Sequence, residues 1–90
     1  MIHFVQVKYI EEHKISELKQ RIPVEIGNRI RIFREKKKLS QTELAVMIGK
    51  DRQYLYKIEK GKVTSSIFTI SVIAYALDVS LAELIGEIKV

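Results

Sequence analysis

The segment of residues 41–60 constrains the fold more than any other part of the sequence, because a single turn separates two short helical patterns there. Ser40 and Glu43 have the spacing of a capping box, which predicts a helix that begins one residue after Ser40. Gly49 predicts the end of that helix, since glycine enters the left-handed backbone region at little cost. Asp51 is a suitable N-cap for the next helix. Two short helices joined by a tight glycine-containing turn predict a helix-turn-helix.

The apolar residues of this segment fall where two crossing helices must pack. Ala45 is small at the point where the helices would approach most closely. The other apolar positions fill the wedge between the two helices and the core: Leu44, Ile48, Leu55 and Ile58. Agreement among so many constrained positions within one short window favours the helix-turn-helix over a chance pattern.

The helical pattern extends to both sides of this segment. Residues 24–37 place apolar side chains one turn apart and predict a first helix that ends near Lys37: Ile26, Ile30 and Phe33. Gly61 closes the third helix, Ser66 caps a fourth, and a second capping box at Ser80 begins a short fifth helix. The sequence therefore predicts an all-α fold with five short helices.

Three regions follow from these patterns. Residues 1–22 form an appended N-terminal arm, residues 23–86 form the helix-turn-helix domain, and residues 87–90 form a tail. Within the arm, residues 2–10 alternate weakly, as in a strand. The following residues carry a narrow apolar helix stripe: Ile15, Leu18 and Ile22. We expect Pro23 to separate that helix from the domain.

Composition and charge narrow the classes of function. The chain of 90 residues is long enough for one domain and contains no cysteine, which excludes disulfides, thiolate metal sites and cysteine nucleophiles. Residues 29–62 contain eleven Lys or Arg and four Asp or Glu, whereas residues 63–90 contain one Lys and three acids. A basic middle followed by an acidic end suggests one face that binds a polyanion.

Several functions are not expected. No catalytic constellation or glycine-rich phosphate loop is present, so we expect neither an enzyme nor a cofactor. No stretch resembles a signal peptide or membrane span, which favours a cytoplasmic protein without membrane contact. His13 follows Glu11 and Glu12, but the spacing matches no known metal site, and we expect His13 and His3 to be surface residues rather than ligands.

The outward face of the third helix carries side chains that can all form hydrogen bonds, with no acid among them. Its members are Arg52, Gln53, Tyr56, Lys57 and Lys60. Arginine or lysine can bind guanine, and glutamine can bind adenine, in the major groove. We therefore expect Arg52, Gln53 and Lys57 to read bases in double-stranded DNA, and Tyr56 to contact a base methyl group or a phosphate.

Other residues are placed to contact the DNA backbone. Gln41 lies in the first turn of the second helix, where free amides and the helix dipole suit a phosphate oxygen. Lys62, just past the third helix, is a candidate phosphate clamp, and Lys60 is another. Contacts of this kind position a protein on DNA without reading its sequence.

Short motifs at fixed places between residues 24 and 85 resemble the phage-repressor (Cro/repressor, Xre-type) helix-turn-helix family. They are Leu39-Ser40-Gln41, Leu44-Ala45, Gly49, Lys57-Ile58-Glu59-Lys60-Gly61 and Ala76-Leu77-Asp78-Val79-Ser80-Leu81. The resemblance implies a five-helix, lambda-repressor-like domain that binds operator DNA, usually as a dimer. It also implies that Arg34 on the first helix pairs with Glu59 on the third, and that this structural ion pair fixes the recognition helix.

Two positions depart from the family pattern. Position 50 is usually apolar and is Lys50 here, so either the wedge is looser or the side chain extends to a phosphate. Position 38 is often glycine and is Lys38 here, so we expect strain at the end of the first helix. The run of residues 51–54 is also similar to the controller proteins of restriction–modification systems, which belong to the same superfamily.

The fourth helix has a second apolar stripe in addition to its core face. It consists of Phe68, Val72 and Tyr75. A surplus apolar stripe needs a cover, which is either the arm of residues 1–22 or a second subunit. The family resemblance favours a second subunit.

The leading hypothesis is a sequence-specific DNA-binding transcriptional regulator, acting as a repressor in the form of a homodimer on a palindromic operator. The alternative is an antitoxin or anti-regulator whose N-terminal arm, residues 1–22, binds a protein partner. A non-specific architectural DNA-binding protein is a third class, which the capped recognition helix makes less attractive.

Overall fold

A computed structural model describes residues 8–90, in which all regular secondary structure is α-helical. The helices are α1 Glu12–Lys36, α2 Gln41–Met47, α3 Arg52–Glu59, α4 Ile67–Ala76 and α5 Leu81–Ile85. The prediction of an all-α, five-helix fold is confirmed. Most of the strand suggested at residues 2–10 lies outside the described residues, and residues 8–10 are not in a strand.

Helix α1 is longer than the sequence pattern predicts, because it continues without a break through Pro23. The expected separation of the arm helix from the first domain helix is therefore wrong, and the boundary drawn after residue 22 falls inside α1. Proline removes one backbone hydrogen bond from a helix interior. Here Pro23 is half-buried and lines an apolar groove with Ile22 and Ile26, and Ile26 packs against the core.

Side-chain ion pairs also support the N-terminal half of α1. Arg21 donates to the carboxylates of Glu17 and Glu25, one turn before and one turn after it. Such pairs at a spacing of four residues lie on one face of a helix and favour its formation. Arg21 also donates to the carbonyl oxygen of Lys89 at 2.8 Å, which joins the C-terminal tail to α1.

The starts of the other four helices have the predicted caps. Ser40 Oγ accepts from the Glu43 amide at 3.0 Å, and the Glu43 carboxylate accepts from the Ser40 amide at 2.9 Å. The same reciprocal box begins α5 at Ser80. Asp51 and Ser66 accept from the third residue of α3 and α4. Each cap satisfies a backbone donor that would otherwise lack a partner at the helix start.

The core lies where all five helices meet. Its fully buried large side chains are Ile30, Leu44, Leu55, Ile73, Leu77 and Leu84. Each such burial contributes about 1.5–3 kcal/mol before the entropy cost of ordering is counted. Ala45 is also fully buried, as expected of the small residue where α2 and α3 cross.

Helices α1 and α3 approach each other closely at Gly27. A β-carbon at this position would lie 2.6 Å from the carbonyl oxygen of Glu59 and closer still to that of Ile58. Real side chains essentially never come so near a backbone oxygen, so only glycine permits this approach. The last turn of α3 therefore rests directly on the backbone of α1.

The connections at the ends of α1 and α2 both use left-handed backbone. Gly49 has φ of 72°, which glycine adopts easily. Lys38 has φ of 58°, a conformation that residues with a β-carbon adopt at some cost. The strain expected at the end of the first domain helix thus lies at Lys38, two residues past the end of α1.

Candidate nucleic-acid interface

Helix α3 presents one face to the core and the opposite face to solvent. Leu55 and Ile58 are buried, and Asp51 holds the start of the helix by accepting from the Tyr54 amide at 2.8 Å. The four residues proposed from the sequence to read bases all lie on the outer side: Arg52, Gln53 and Lys57 are exposed, and Tyr56 is half-buried. The fold therefore brings these four side chains to one accessible ridge.

Three basic side chains converge on the ring of Tyr56. The distances to the ring centre are 5.8 Å from the Arg52 guanidinium, 6.0 Å from Lys60 Nζ and 5.3 Å from Lys62 Nζ. Cations over an aromatic face are attracted by about 0.5–1 kcal/mol at exposed sites. Tyr56 therefore gathers positive charge from both ends of α3 into one small area, which suits a phosphate-bearing ligand.

A buried ion pair fixes α3 against α1. Arg34 Nε donates to Glu59 at 2.7 Å, and a second guanidinium nitrogen donates to the other carboxylate oxygen at 3.0 Å. The side chains are 11% and 2% exposed, so water does not compete for these bonds. The hydrogen bonds that Arg34 donates to the Glu59 carboxylate raise the pKa of Arg34 above its already high ordinary value. Arg34 also donates to the carbonyl oxygen of Leu39 at 2.7 Å, so one side chain connects α1, the turn before α2, and α3.

Gln41 takes part in the same network. Its side-chain amide donates to a Glu59 carboxylate oxygen at 3.0 Å, and the residue is half-buried. An amide group carries two N–H donors, so one remains for another partner. Sequence reasoning placed Gln41 near phosphate but gave no sign of its contact with Glu59, because the two residues meet only in the folded chain.

The remaining basic candidates are exposed at the ends of the helix-turn-helix. Lys50 lies in the turn before α3, with its Nζ 5.1 Å from the centre of the Tyr54 ring. The Lys50 side chain is exposed at the surface. Lys62 is exposed in the segment after α3.

A groove runs along each side of the α3 ridge. One, of about 470 Å³, lies between α3 and the start of α4 and is lined by Gln53, Lys57 and several hydroxyl side chains. The other, of about 640 Å³, lies between α3, α1 and the start of α2, and its lining includes Arg31, Gln41 and Lys60. The ridge is thus flanked on both sides by polar recesses.

The second apolar stripe of α4 points away from the core. Phe68 is 74% and Tyr75 is 88% exposed, and Val72 is half-buried. Phe68 and Val72 border a cleft of about 240 Å³ whose other walls include Ile48 and Tyr54. Within residues 8–90 no segment covers Phe68 or Tyr75, so the described part of the arm is not the cover.

Three residues with clear structural roles were missed by sequence reasoning. Gly27 permits the contact between α1 and α3, and a glycine inside a helical pattern was the available signal. Arg29 donates to the carbonyl oxygens of Leu84 and Glu83 at 3.0 and 2.8 Å and so caps the end of α5. Arg31 lines the groove beside α3. Nothing local in the sequence distinguishes Arg29 or Arg31 from other surface arginines.

The described residues give no sign of a metal site or a membrane span. His13 Nδ1 lies 3.0 Å from a Glu11 carboxylate oxygen, with both side chains well exposed. Among residues 8–90, no three His, Cys, Asp or Glu side chains are grouped as metal ligands would be. No helix in this part of the chain has the length and apolar character needed to cross a membrane. His3 lies outside the described residues.

Comparison with known protein sequences gives consistent matches. A family model described as helix-turn-helix matches residues 30–84. The immunity repressor protein of Bacillus phage phi105 is 34% identical over 62 residues, which are 69% of this chain and 43% of the repressor. The control protein C.MunI from Mycoplasma sp is 36% identical over 69 residues, 76% of this chain and 93% of that protein. The chain therefore spans less than half of the phage protein but nearly all of the control protein.

Comparison with solved structures also finds proteins that superpose on this chain. The restriction-modification controller protein C.AhdI from Aeromonas hydrophila superposes with a TM-score of 0.66 at 40% identity, covering 69% of this chain and 94% of that protein. The hypothetical transcription factor NHTF from Neisseria superposes with a TM-score of 0.68 at 26% identity, covering 91% and 86%. The fold described above is therefore shared with both structures.

Proposed function

The chain belongs to the Xre-type helix-turn-helix family of DNA-binding transcription regulators, and from this premise we propose that it is a repressor that binds a palindromic operator as a homodimer. The observation that carries the proposal is the polar, basic ridge of α3, which the buried pair of Arg34 and Glu59 holds against α1. A recognition helix must be both accessible and rigidly placed to read base edges in the major groove.

Base reading is assigned to four residues of the ridge. They are Arg52, Gln53, Tyr56 and Lys57. Arg52 and Gln53 occupy the first turn of α3, and the N-terminal residues of such a helix lie nearest the bases. Bidentate contacts from arginine to guanine and from glutamine to adenine each supply about 1–3 kcal/mol of discrimination.

Phosphate binding is assigned to residues around the ridge. They are Gln41, Lys50, Lys60 and Lys62. Lys60 and Lys62 support this assignment because both approach the Tyr56 ring and so lie beside the base-reading residues. Gln41 supports it through the one amide N–H that its bond with Glu59 leaves over.

The dimer is assigned to the second apolar stripe of α4: Phe68, Val72 and Tyr75. Two large aromatic side chains that remain mostly in water favour a protein–protein contact at this face. A two-fold dimer would present its two α3 ridges to successive major grooves, so half-sites should lie about 10 base pairs apart.

Control of restriction–modification genes is the most specific role that the comparisons favour. The chain spans 93% of the control protein C.MunI and 94% of the controller protein C.AhdI, but only 43% of the phage repressor. We therefore propose a small regulator of the controller type, which acts on DNA in the cytoplasm and requires no cofactor.

A protein partner at the N-terminal arm is a second candidate function, as in an antitoxin or anti-regulator. The described part of the arm, residues 8–22, has exposed apolar residues, including Ile15 at 52%, beside a groove lined by Leu18, Ile22 and Val63. Deletion of residues 1–11, which precede α1, together with Ile15→Glu tests this candidate. Unchanged binding partners in a pull-down from the host would contradict it.

Selection from a random duplex library, followed by titrations at two salt concentrations, tests the leading proposal. With about eight phosphate contacts per dimer, the logarithm of affinity should fall against the logarithm of salt concentration with a slope of roughly −7. A short palindrome with this slope supports a dimeric operator-binding regulator. Steep salt dependence without an enriched site indicates an architectural protein, and no binding at all contradicts the proposal.

A further inference from the structure

The groove between α1, the start of α2 and the end of α3 contains a basic residue to which the sequence patterns gave no role. Arg31 of α1 and Lys60 are its basic residues, and Gln41 contributes a polar wall. The groove lies on the opposite side of α3 from the recess that contains Gln53 and Lys57. A helix seated in the major groove has a phosphate strand on each side, so both recesses face DNA backbone.

Neighbours on α1 hold the guanidinium of Arg31 in a fixed orientation. One nitrogen donates to Glu35 at 2.9 Å, and another donates to the side-chain oxygen of Asn28 at 2.6 Å. A guanidinium has five N–H donors, so three remain after these two bonds. A planar group with its orientation already set and several donors left over matches the oxygens of a phosphate.

The carboxylates at this groove are each paired with an arginine. Glu59 is bound by Arg34, and Glu25 accepts from Arg21 at 2.7 Å. Glu35, next to Arg31, is bound by Arg31 itself. Neutralised carboxylates repel an anion much less than free ones, so the groove is more favourable to phosphate than a list of its residues suggests.

We propose that Arg31 anchors a phosphodiester of one DNA strand in this groove, with Gln41 and Lys60 as the neighbouring contacts. The proposal rests on the proposed function, because it adds a contact to the same bound duplex. It makes α1 part of the DNA interface and not only a support for α3. One strand is then held from α1 and α2, and the other from the side of Lys57.

The test compares Arg31→Gln, Arg31→Lys and Lys14→Gln in the full chain, titrated with the selected operator duplex at several salt concentrations. Lys14 is the charge-matched control: within residues 8–90 its ion pair is with Glu17, at 3.4 Å, near the other end of the same helix. Thermal unfolding of each variant ensures that folded proteins are compared. Arg31→Gln should weaken binding about tenfold at low salt. It should also make the salt slope shallower by about one per protomer, whereas Lys14→Gln should leave it unchanged.

Arg31→Lys separates the charge from the geometry of the guanidinium. It should keep the wild-type salt slope but recover only part of the affinity, because lysine lacks the planar pair of donors. If wild-type protein binds with a steep slope and Arg31→Gln behaves like Lys14→Gln, the anchoring role of Arg31 is wrong while the proposed function stands. If wild-type protein binds no DNA, both are overturned.

Discussion

Arg34 and Glu59 form two hydrogen bonds of 2.7 and 3.0 Å inside the protein, although 25 positions separate them in the chain. Glu59 is the last residue of the recognition helix, and Arg34 lies in the last turn of α1. The position of the exposed ridge of α3 therefore depends on a contact that is itself shielded from solvent.

Loss of either partner of this pair should destabilise the fold strongly. Arg34→Met or Glu59→Leu leaves one buried charge without its counter-charge, and we expect a loss of about 3–5 kcal/mol in the free energy of unfolding. The double variant should be much closer to wild type, since no unpaired charge remains. Urea unfolding measures all three. Equal destabilisation of the single and double variants would contradict this account.

Gly27→Ala should destabilise the protein, although the same change in most helix interiors is favourable. The added carbon would overlap the backbone oxygens of Ile58 and Glu59, and overpacking of this kind costs about 1–3 kcal/mol. Gly49→Ala is the comparison, because a β-carbon there meets nothing and only the left-handed backbone opposes it. If Gly27→Ala stabilises the protein in thermal unfolding, the close approach of α1 and α3 is not as described.

The helix starts were predictable from sequence, whereas the course of α1 was not. Each N-cap side chain accepts a hydrogen bond from the backbone amide three residues later, so the signal for the helix start lies within a few residues of sequence. The four caps are Ser40, Asp51, Ser66 and Ser80. Pro23 is an equally local signal and predicted a break between two helices, but α1 continues through it. The packing of Ile26 against the core, three residues after Pro23, is a tertiary effect that no local rule for proline includes.

The residues of the candidate site also include some that local sequence patterns predict and others whose positions depend on tertiary packing. The outward stripe of α3 follows from helical periodicity, so its members could be named before the fold was known. The contact of Gln41 with Glu59 and the position of Arg31 in the groove depend on how α1 and α2 are oriented relative to α3. That orientation is set by Gly27 and the buried ion pair, neither of which can be inferred from spacing alone.

Base-reading and phosphate-binding residues should differ in how their loss affects binding. Arg52→Ala or Gln53→Ala should cost about 1–3 kcal/mol on the selected operator and relax the preference at single base pairs. Lys62→Ala should weaken binding to all sequences alike and make the salt slope shallower by about one per protomer. Titration against operators with single substitutions distinguishes the two behaviours. A uniform loss for Gln53→Ala would remove it from the base-reading set.

A charge on the apolar stripe of α4 should prevent dimer formation. Phe68→Glu or Tyr75→Glu introduces like charges at the proposed two-fold contact while leaving the core side of α4 intact. Sedimentation should then show monomers, and operator affinity should fall because two half-sites no longer bind together. Val46→Glu, at an exposed apolar residue of α2, is the matched control and should leave the mass unchanged. Dimers that persist in the α4 variants would move the interface elsewhere.

The capping box at the start of α2 should lose its contribution in acid. Hydrogen bonds from the backbone and side chain of Ser40 lower the pKa of Glu43 below its ordinary value of 4.5. A depressed folded-state pKa means that the contribution is fully present above pH 4.5 and is lost as pH falls through the lower value. Glu43→Gln should therefore reduce the melting temperature at pH 7 and make progressively less difference below pH 4.5. A constant difference across this range would contradict the ionic role of Glu43.

Because α1 is a single helix from Glu12 to Lys36, its two ends have a fixed angular relationship as well as a fixed distance. Each residue advances about 1.5 Å and turns by about 100°, so the direction in which residue 12 points is set by the packing of Gly27 and Ile30. A group attached at Glu12 itself would therefore have a set direction relative to the helix-turn-helix segment. A fluorescent label at the start of α1 would therefore report the orientation of the helix-turn-helix domain.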